Sequence, residues 1–189
     1  GNAVAMPWAQ QVPGIVQGWF LGTEAGNALA SVLVGDVNPS GKLTFTFPAK
    51  LEDNGAHAAG EFPGSTDVHY TEGIFVGYRW AEMKKIKPLF PFGHGLSYTA
   101  FEYGKVTSDK KEMASPDKIT FSVKVKNTGK RDGKEVVQLY ISDLKSSLPR
   151  PVKELKGFEK VALKAGEEKT VTFTIDTKEL SFFDDKKHD

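Results

Sequence analysis

The 189-residue sequence lacks cysteine, long hydrophobic runs and an excess of either charge. Without cysteine there is neither a disulfide framework nor a thiolate metal site. No stretch approaches the roughly 20 consecutive apolar residues that a membrane-spanning helix needs. The 25 basic and 24 acidic residues leave a formal net charge of +1, too little to hold nucleic acid or an anionic membrane. We therefore expect neither nucleic acid nor membrane as a partner.

Short basic runs do occur in the second half of the chain, and a solvated face explains them better than an anion site. They are Lys110-Lys111, Lys124 with Lys126, and Lys186-Lys187. Residues 1–4 include no basic residue and lead into no long apolar stretch, so we do not expect them to form a signal peptide. The localisation stays unknown on these grounds, with a periplasmic or secreted bacterial location favoured.

The signatures of several catalytic classes are also missing. The histidines show no metal-ligand spacing, so we expect them to be loop or surface residues. They are His57, His69, His94 and His188. No G-x-S-x-G nucleophile motif occurs, and Gly93-His94-Gly95 is too short for a phosphate-binding loop. We expect no metal and no cofactor.

The sequence does have the composition of a soluble globular protein, with 39% hydrophobic and 26% charged residues. Residues 1–48 predict an α/β fragment, in which the apolar runs Ala3–Met6 and Gly14–Phe20 suit buried strands. Leu43–Phe47 alternates in polarity and predicts another strand. A helix that ends at Gly35 is predicted by the apolar stripe of Ala25, Ala28, Leu29, Val32 and Leu33. This segment is too small to close an α/β domain, because a parallel sheet needs both faces covered.

The rest of the chain divides into a loop-rich part and a strand-rich part. Residues 49–100 have little periodic pattern and many glycines, which predicts a connecting segment. In residues 101–189, apolar and polar side chains alternate around Phe121, Leu139 and Phe173. Period-2 strands separated by glycine-containing turns predict an all-β, immunoglobulin-like sandwich.

Paired carboxylates are the remaining route to catalysis, and several precede the sandwich. They are Glu24, Asp36, Glu61, Asp67, Glu72 and Glu82. A retaining glycosidase needs two carboxyl groups about 5–5.5 Å apart, and sequence spacing places no pair at that distance. Glu72 is a candidate ligand-contacting residue because loops carry function, the alternative being a solvated loop carboxylate. Trp8 is a second candidate because it follows a predicted strand end, whereas Trp19 is better explained as core.

Eight motifs occur along the chain, in this order: VPGIVQGW (12–19), GTEAGNALA (22–30), LVGDVNPSGKL (33–43), YTEGIFVGYR (70–79), FPFGHGLSYT (90–99), VKNTG (125–129), GKEVVQLY (133–140) and RPVKELKGF (150–158). The first three resemble the second domain of glycoside hydrolase family 3. The next two resemble the connecting segment of that family and the start of its third domain. The last three resemble its fibronectin type III-like β-sandwich, so the resemblance covers nearly the whole chain.

The resemblance implies a β-glucosidase-type parent enzyme with a (β/α)₈ barrel, an α/β sandwich and this β-sandwich. Such an enzyme hydrolyses β-glucosides or related β-glycosides with retention and without a metal. Its nucleophile is a barrel aspartate and its acid/base glutamate lies upstream, so the resemblance implies no catalytic residue in this chain. The only substrate-binding candidates are then Trp8 and Glu72, and the chain alone is expected to be inactive. Both ends look truncated, with the closing strand of the sandwich expected after Asp189.

Two other functions stay open. In one, the sandwich binds polysaccharide through the aromatic residues Tyr140, Phe182 and Phe183, unless these pack inward. In the other, the chain is structural and provides a dimerisation or interdomain surface, which makes a homodimer an expected partner. The sequence does not indicate the sugar, the linkage or the oligomeric state.

Overall fold

The computed structural model describes residues 2–184 and 186 of the chain. Contacts within the chain divide it into two compact units. Unit 1 is Gly1–Leu96 with Ile141–Glu154, and unit 2 is Ser97–Tyr140 with Leu155–Asp189. The domain boundaries expected after residues 48 and 100 remain predictions. The expectations for Lys187, for His188 and for a strand after Asp189 lie outside the described residues.

Unit 1 is built from short helices and 3₁₀ turns joined by loops. The 3₁₀ turns are Ala9–Gln11 and Leu51–Asp53, and the helices are α1 (Ala25–Leu33), α2 (Gly55–Ala58) and α3 (Tyr78–Met83). The predicted helix is confirmed as α1, and Gly35 has a left-handed φ of 86° just beyond it. Gly35 also donates its N–H to the carbonyl of Val32 at 3.1 Å, so this glycine ends the helix as predicted. No helix in the described part of the chain is long and apolar enough to cross a membrane.

Two predicted strands of unit 1, Ala3–Met6 and Gly14–Phe20, are wrong as secondary structure: neither forms a strand in the described residues. A strand needs a neighbour that takes up its backbone hydrogen bonds, and no other described segment pairs with them. The side chain of Phe20 is 89% exposed as a result. Much of these apolar runs therefore lies at the surface of unit 1, although Met6 is buried.

The third predicted strand, Leu43–Phe47, pairs with residues that were expected to be loop. Phe47 forms an antiparallel bridge with Phe90, and its N–H donates to the Phe90 carbonyl at 2.8 Å. The N–H of Leu43 donates to the His94 carbonyl, also at 2.8 Å. Phe47 is buried and belongs to the core. The predicted strand Leu43–Phe47 is thus represented only by an isolated antiparallel bridge at Phe47.

The second half of the chain forms the predicted antiparallel β-sandwich. Its elements are β1 (Phe101–Tyr103), β2 (Thr107–Ser108), β3 (Lys118–Asn127), β4 (Gly133–Ile141), β5 (Glu154–Leu163), β6 (Glu168–Asp176) and α4 (Thr177–Leu180). In the larger sheet, β6 pairs with β3 along most of its length, and β1 and β2 pair with the other edge of β3. Strands β4 and β5 form the second sheet.

The core of the sandwich lies between the two sheets and draws on both. Its buried cluster consists of Val123, Val125, Val137, Val161, Leu163 and Val171. The register places Phe121 opposite Phe173 and Val123 opposite Val171, so apolar side chains face each other across β3 and β6. Lys124 and Lys126 lie on either side of the buried Val125 in β3, and both are exposed. The alternation predicted for this strand is therefore confirmed, with the face that the pattern assigns to the core turned inward.

Candidate functional site

Glu72, the carboxylate singled out from the sequence, lies in a tight turn of unit 1. Gly73 donates its N–H to the Tyr70 carbonyl at 2.9 Å, and Phe75 donates its N–H to the Glu72 carbonyl at 3.1 Å. Gly73 has a φ of 56°, which glycine adopts at little cost. Oxygen Oε2 of Glu72 is buried and has no hydrogen-bond partner among the described residues. The carboxylate therefore differs from the solvated loop group that was the alternative.

Gly55, at the first position of α2, packs against both Glu72 and Trp80. A Cβ atom built on Gly55 would lie 3.1 Å from Cδ2 of Trp80 and 3.4 Å from Cβ of Glu72. Asn54 caps the helix by accepting the N–H of Ala56 at 3.2 Å, which fixes the backbone at this point. Because glycine has no side chain, α2 approaches the indole and the carboxylate side chain closely. We call Gly55, Glu72 and Trp80 the Glu72 cluster.

A cavity of about 30 Å³ adjoins this cluster, with Thr46, Gly55 and Trp80 in its wall. The indole Nε1–H of Trp80 and the hydroxyl of Thr46 are buried without hydrogen-bond partners in the described part of the chain. Buried polar groups are normally hydrogen-bonded. Three buried polar atoms without a partner, on Thr46, Trp80 and Glu72, are therefore unusual in one unit. The cavity holds about one water molecule, and a ligand pocket usually measures about 300–1,000 Å³. The cavity itself is therefore too small to bind a sugar.

Trp8, the second candidate, begins the 3₁₀ turn Ala9–Gln11. Its carbonyl accepts the N–H of Gln11 at 2.8 Å, and its side chain is 46% exposed. The indole ring is therefore accessible for stacking. Within the described residues no hydrogen bond joins Trp8 to Glu72, and their membership of one site stays a prediction.

Trp19 contacts two aromatic rings but is 36% exposed, so the expectation that it is a core residue is wrong. Its ring meets Phe45 edge-on, with centroids 5.6 Å apart, and lies tilted against Phe47 at 6.3 Å. Its backbone φ of 52° is uncommon for a residue other than glycine. Aromatic packing of this kind stabilises an irregular segment, and it leaves Trp8 as the more accessible tryptophan of the N-terminal region.

The three histidines in the described part of the chain have aromatic or exposed surroundings. His57 contacts the ring of Phe62 with centroids 4.9 Å apart, and His94 stacks on Phe90 at 5.6 Å. His69 is exposed. No group of three or more His, Asp or Glu side chains is placed to hold a metal ion within the described residues. His69 and His94 thus have the loop or surface positions expected from the sequence, whereas His57 lies in α2 with its Nδ1 buried.

The sandwich contains an ionisable group with a strongly shifted pKa. The hydroxyl of Tyr103 donates to Glu135 Oε1 at 3.1 Å. Burial, the charge of Glu135 and this hydrogen bond raise the pKa of Tyr103 well above its usual value. A phenol that holds its proton so firmly does not act as a base or a nucleophile near neutral pH.

The aromatic residues considered for polysaccharide binding differ in exposure. Phe182 and Phe183 are exposed, whereas Tyr140 is half-buried and donates its hydroxyl to Gln138 Oε1 at 2.8 Å. Phe158 on β5 is also exposed, although nothing in the sequence pattern singled it out. Polysaccharide binding by this sandwich therefore remains a hypothesis without a defined aromatic platform.

Unit 1 leaves many large apolar side chains in solvent within residues 4–37, which we call the apolar segment. They include Val4, Val12, Val16, Phe20, Leu21, Leu33, Val34 and Val37. Helix α1 lies in this segment, and none of its described residues is buried. Exposed apolar surface is typical of sites of interaction with other protein.

Family models match both parts of the chain. Residues 1–78 match the glycosyl hydrolase family 3 C-terminal domain, and residues 135–189 match the fibronectin type III-like domain. The chain belongs to glycosyl hydrolase family 3. The two matches confirm the predicted fold class, an α/β fragment followed by a fibronectin type III-like sandwich.

Family 3 relatives match this chain over nearly its whole length. Beta-glucosidase BoGH3A of Bacteroides ovatus is 57% identical over 190 residues, which cover 99% of this chain and 25% of the relative. Thermostable beta-glucosidase B of Acetivibrio thermocellus is 55% identical over 184 residues, covering 97% of this chain and 24% of the relative. The chain thus spans about a quarter of the length of these curated relatives.

Solved structures of family 3 proteins share the fold. The beta-glucosidase from Kluyveromyces marxianus in complex with glucose has a TM-score of 0.88 at 47% identity, covering 99% of this chain and 22% of that chain. DesR, a beta-glucosidase from Streptomyces venezuelae in complex with D-glucose, has a TM-score of 0.89 at 42% identity, covering 99% and 24% respectively. The chain corresponds to the C-terminal portion of family 3 β-glucosidases.

The sequence alone does not single out Gly55, Trp80 or Thr46 as neighbours of Glu72. Helices α2 and α3 are only 4 and 6 residues long, too short for a periodic pattern to predict them. A weak signal existed, because Trp80 directly follows the family 3 motif at residues 70–79 that contains Glu72. Glu72 and Trp80 both lie against Gly55. Glycine has no side chain, so the sequence gives no sign that Gly55 is part of this cluster.

Proposed function

We propose that the chain is the C-terminal, non-catalytic portion of a retaining β-glucosidase that hydrolyses O-glycosidic bonds in carbohydrates. The carrying observation is 57% identity to a β-glucosidase over 99% of this chain, against 25% of the relative's length. In this proposal the nucleophile and the acid/base residue lie outside the chain, in line with the family resemblance. The partner of the chain is then the barrel domain of the same enzyme, and the substrate is a β-glucoside or oligosaccharide.

The apolar segment supports this role. Phe20 and Val34 are among its most exposed side chains, and burying such a side chain contributes about 1.5–3 kcal/mol. A surface with several of them favours association with the remainder of the enzyme over a free existence in water. A homodimer is the competing occupant of the same surface, and it remains a prediction.

Trp8 and Glu72 are proposed as substrate-binding residues of the complete enzyme. An exposed indole stacks on a sugar ring, and a carboxylate oxygen accepts hydrogen bonds from sugar hydroxyls. Support for Trp8 is its exposed ring, and support for Glu72 is its buried oxygen without a partner in the described residues. The enclosed cavity is too small for sugar, so contact at Glu72 requires surface contributed by the rest of the enzyme.

The test compares this chain with the full-length protein encoded by the reading frame that contains it. Hydrolysis of p-nitrophenyl β-D-glucoside is measured for both, with circular dichroism as the control for folding. We expect turnover by the full-length protein and none by the chain. Turnover by the chain alone, or a folded full-length protein inactive on a panel of aryl β-glycosides, would contradict the proposal.

The same assay tests the binding residues one at a time. In the full-length protein we expect Trp8→Ala and Glu72→Gln to raise KM several-fold, as loss of a substrate contact does. Glu52→Gln is the matched control, because Glu52 is an exposed carboxylate on a 3₁₀ turn of the same unit. Equal KM values for Glu72→Gln and Glu52→Gln would remove Glu72 from the substrate site.

A further inference from the structure

Residues 141–154 join β4 to β5 but belong to unit 1, and we call them the charged loop. Glu154, at its end, is held between two arginines. Its Oε2 pairs with Nη2 of Arg150, and its Oε1 lies 3.4 Å from Nη2 of Arg79 on α3. Arg150 also reaches Oδ2 of Asp143 at 3.5 Å. The Glu154 side chain is only 14% exposed, so solvent screens these interactions less than those of a surface pair.

A second ion pair joins the charged loop to the same helix. Nζ of Lys153 lies 2.7 Å from Oε1 of Glu82. Glu82 and Arg79 are three residues apart on α3, so they share one face of the helix. Adjacent residues of the loop thus pair with adjacent positions on that face, and the signs alternate. Such a pattern restrains the position of α3.

Helix α3 transmits its position to Glu72 through Trp80. Trp80 follows Arg79 in the helix, and its indole lies against Gly55. Gly55 in turn contacts the side chain of Glu72, since a Cβ at Gly55 would be 3.1 Å from the indole and 3.4 Å from Glu72 Cβ. Close-packed groups of this kind do not shift independently. A displacement of α3 therefore moves the turn that carries Glu72.

We propose that Glu154 and Lys153 are positioning residues, which hold α3 in place and thereby orient Glu72 toward the substrate. This inference rests on the proposed function. It assigns a role in substrate recognition to the loop between β4 and β5. The charged loop acts through ion pairs, and the packing of Trp80 on Gly55 carries the effect to the site.

Steady-state kinetics of the full-length protein test this role. Glu154→Gln preserves shape but loses the charge that Arg79 and Arg150 share. We expect KM for p-nitrophenyl β-D-glucoside to rise about three- to tenfold with kcat within about twofold, since misplacing a binding group weakens substrate contact. Lys153→Met removes the second ion pair, at a more exposed side chain. This variant tests the same role if the Glu154→Gln protein does not fold.

The matched control is Glu168→Gln, which breaks the ion pair with Lys124 on the sandwich. That pair has an Nζ–Oε1 distance of 2.9 Å, and the Glu168 side chain is 44% exposed. We expect unchanged KM and kcat for this variant. The inference is overturned if the loop variants leave KM unchanged in an active enzyme, or if they lower kcat and thermal stability together without a selective rise in KM. An inactive wild-type full-length protein instead overturns the proposed function.

Discussion

Replacing Asn127 with alanine is expected to destabilise the sandwich strongly. Asn127 ends β3 and is completely buried. Its Oδ1 accepts from the Thr99 hydroxyl at 2.7 Å and from the Gly129 N–H at 3.1 Å. Its Nδ2 donates to the carbonyls of Arg131 at 2.7 Å and Leu163 at 3.2 Å. One side chain thus ties the end of β3 to the following turn, to the segment before β1 and to the end of β5.

The magnitude follows from these bonds. Four side-chain hydrogen bonds at about 1 kcal/mol each give a loss of about 4 kcal/mol. Water relieves part of it, because only the bond to Leu163 is buried and the other three are partly accessible. We therefore expect Asn127→Ala to cost about 3 kcal/mol. For a chain of this length that corresponds to a fall in Tm of about 6–12 °C.

Thermal unfolding followed by the β-sheet circular dichroism signal measures the effect. The control is Thr120→Val, which removes an exposed hydroxyl that lies 3.1 Å from the hydroxyl of Thr174 on β6. Loss of one exposed hydrogen bond costs about 0.5–1 kcal/mol, so the control should melt close to the wild type. Should Asn127→Ala melt no lower than Thr120→Val, the reasoning that this amide holds the strand ends together is refuted.

Three further predictions concern packing, pH and association. Gly55→Ala should lower stability by about 1 kcal/mol and shift tryptophan emission, because the new methyl group meets the Trp80 ring at 3.1 Å. Burial raises the pKa of Tyr103, so the sandwich should lose stability as pH rises above about 10, where the unfolded phenol ionises. Tyr103→Phe should remove that loss in urea titrations at pH 9 and pH 11. Phe20→Ser should reduce self-association of the isolated chain in size-exclusion chromatography, because Phe20 is exposed in the apolar segment.

Each of these predictions has its own contrary result. Gly26→Ala on α1 is the counterpart of Gly55→Ala, since nothing lies within 4 Å of its Cβ position, and it should stabilise by about 0.5–1 kcal/mol. Equal effects at Gly26 and Gly55 would contradict the close packing on Trp80. A Tyr103→Phe protein that loses the same stability between pH 9 and pH 11 would assign the loss to other groups. A wild-type chain that is already monomeric would leave the apolar segment without a role in association.

Some of the α/β region could be predicted from local pattern and some could not. The apolar stripe of α1 and the glycine after it predict the helix, because one turn of helix involves only neighbouring residues. The run Gly14–Phe20 has an equally clear composition, yet it does not form a strand in the described residues. A strand depends on a partner for its hydrogen bonds, and a single run of residues does not specify that partner.

The candidate site shows the same division. Loop composition around Glu72 marks it as a candidate, but the buried position of its Oε2 arises from contacts with Gly55 and Trp80. Trp8 is exposed, and a joint role of Trp8 and Glu72, which are far apart in the sequence, stays a prediction. The role proposed for Glu154 depends on Arg79, which lies on another element far away in sequence.

The sequence by itself determined the alternating strands of the sandwich, the helix α1 and, through ordered motifs, the membership of family 3. These features follow from the period of side-chain direction along a strand or helix, which is a local property of the backbone. Only the tertiary structure decided that Oε2 of Glu72 is buried, that Asn127 joins the ends of β3 and β5, and that the charged loop pairs with α3. Burial and ion pairing bring together residues that are distant in the chain, so no local pattern specifies them.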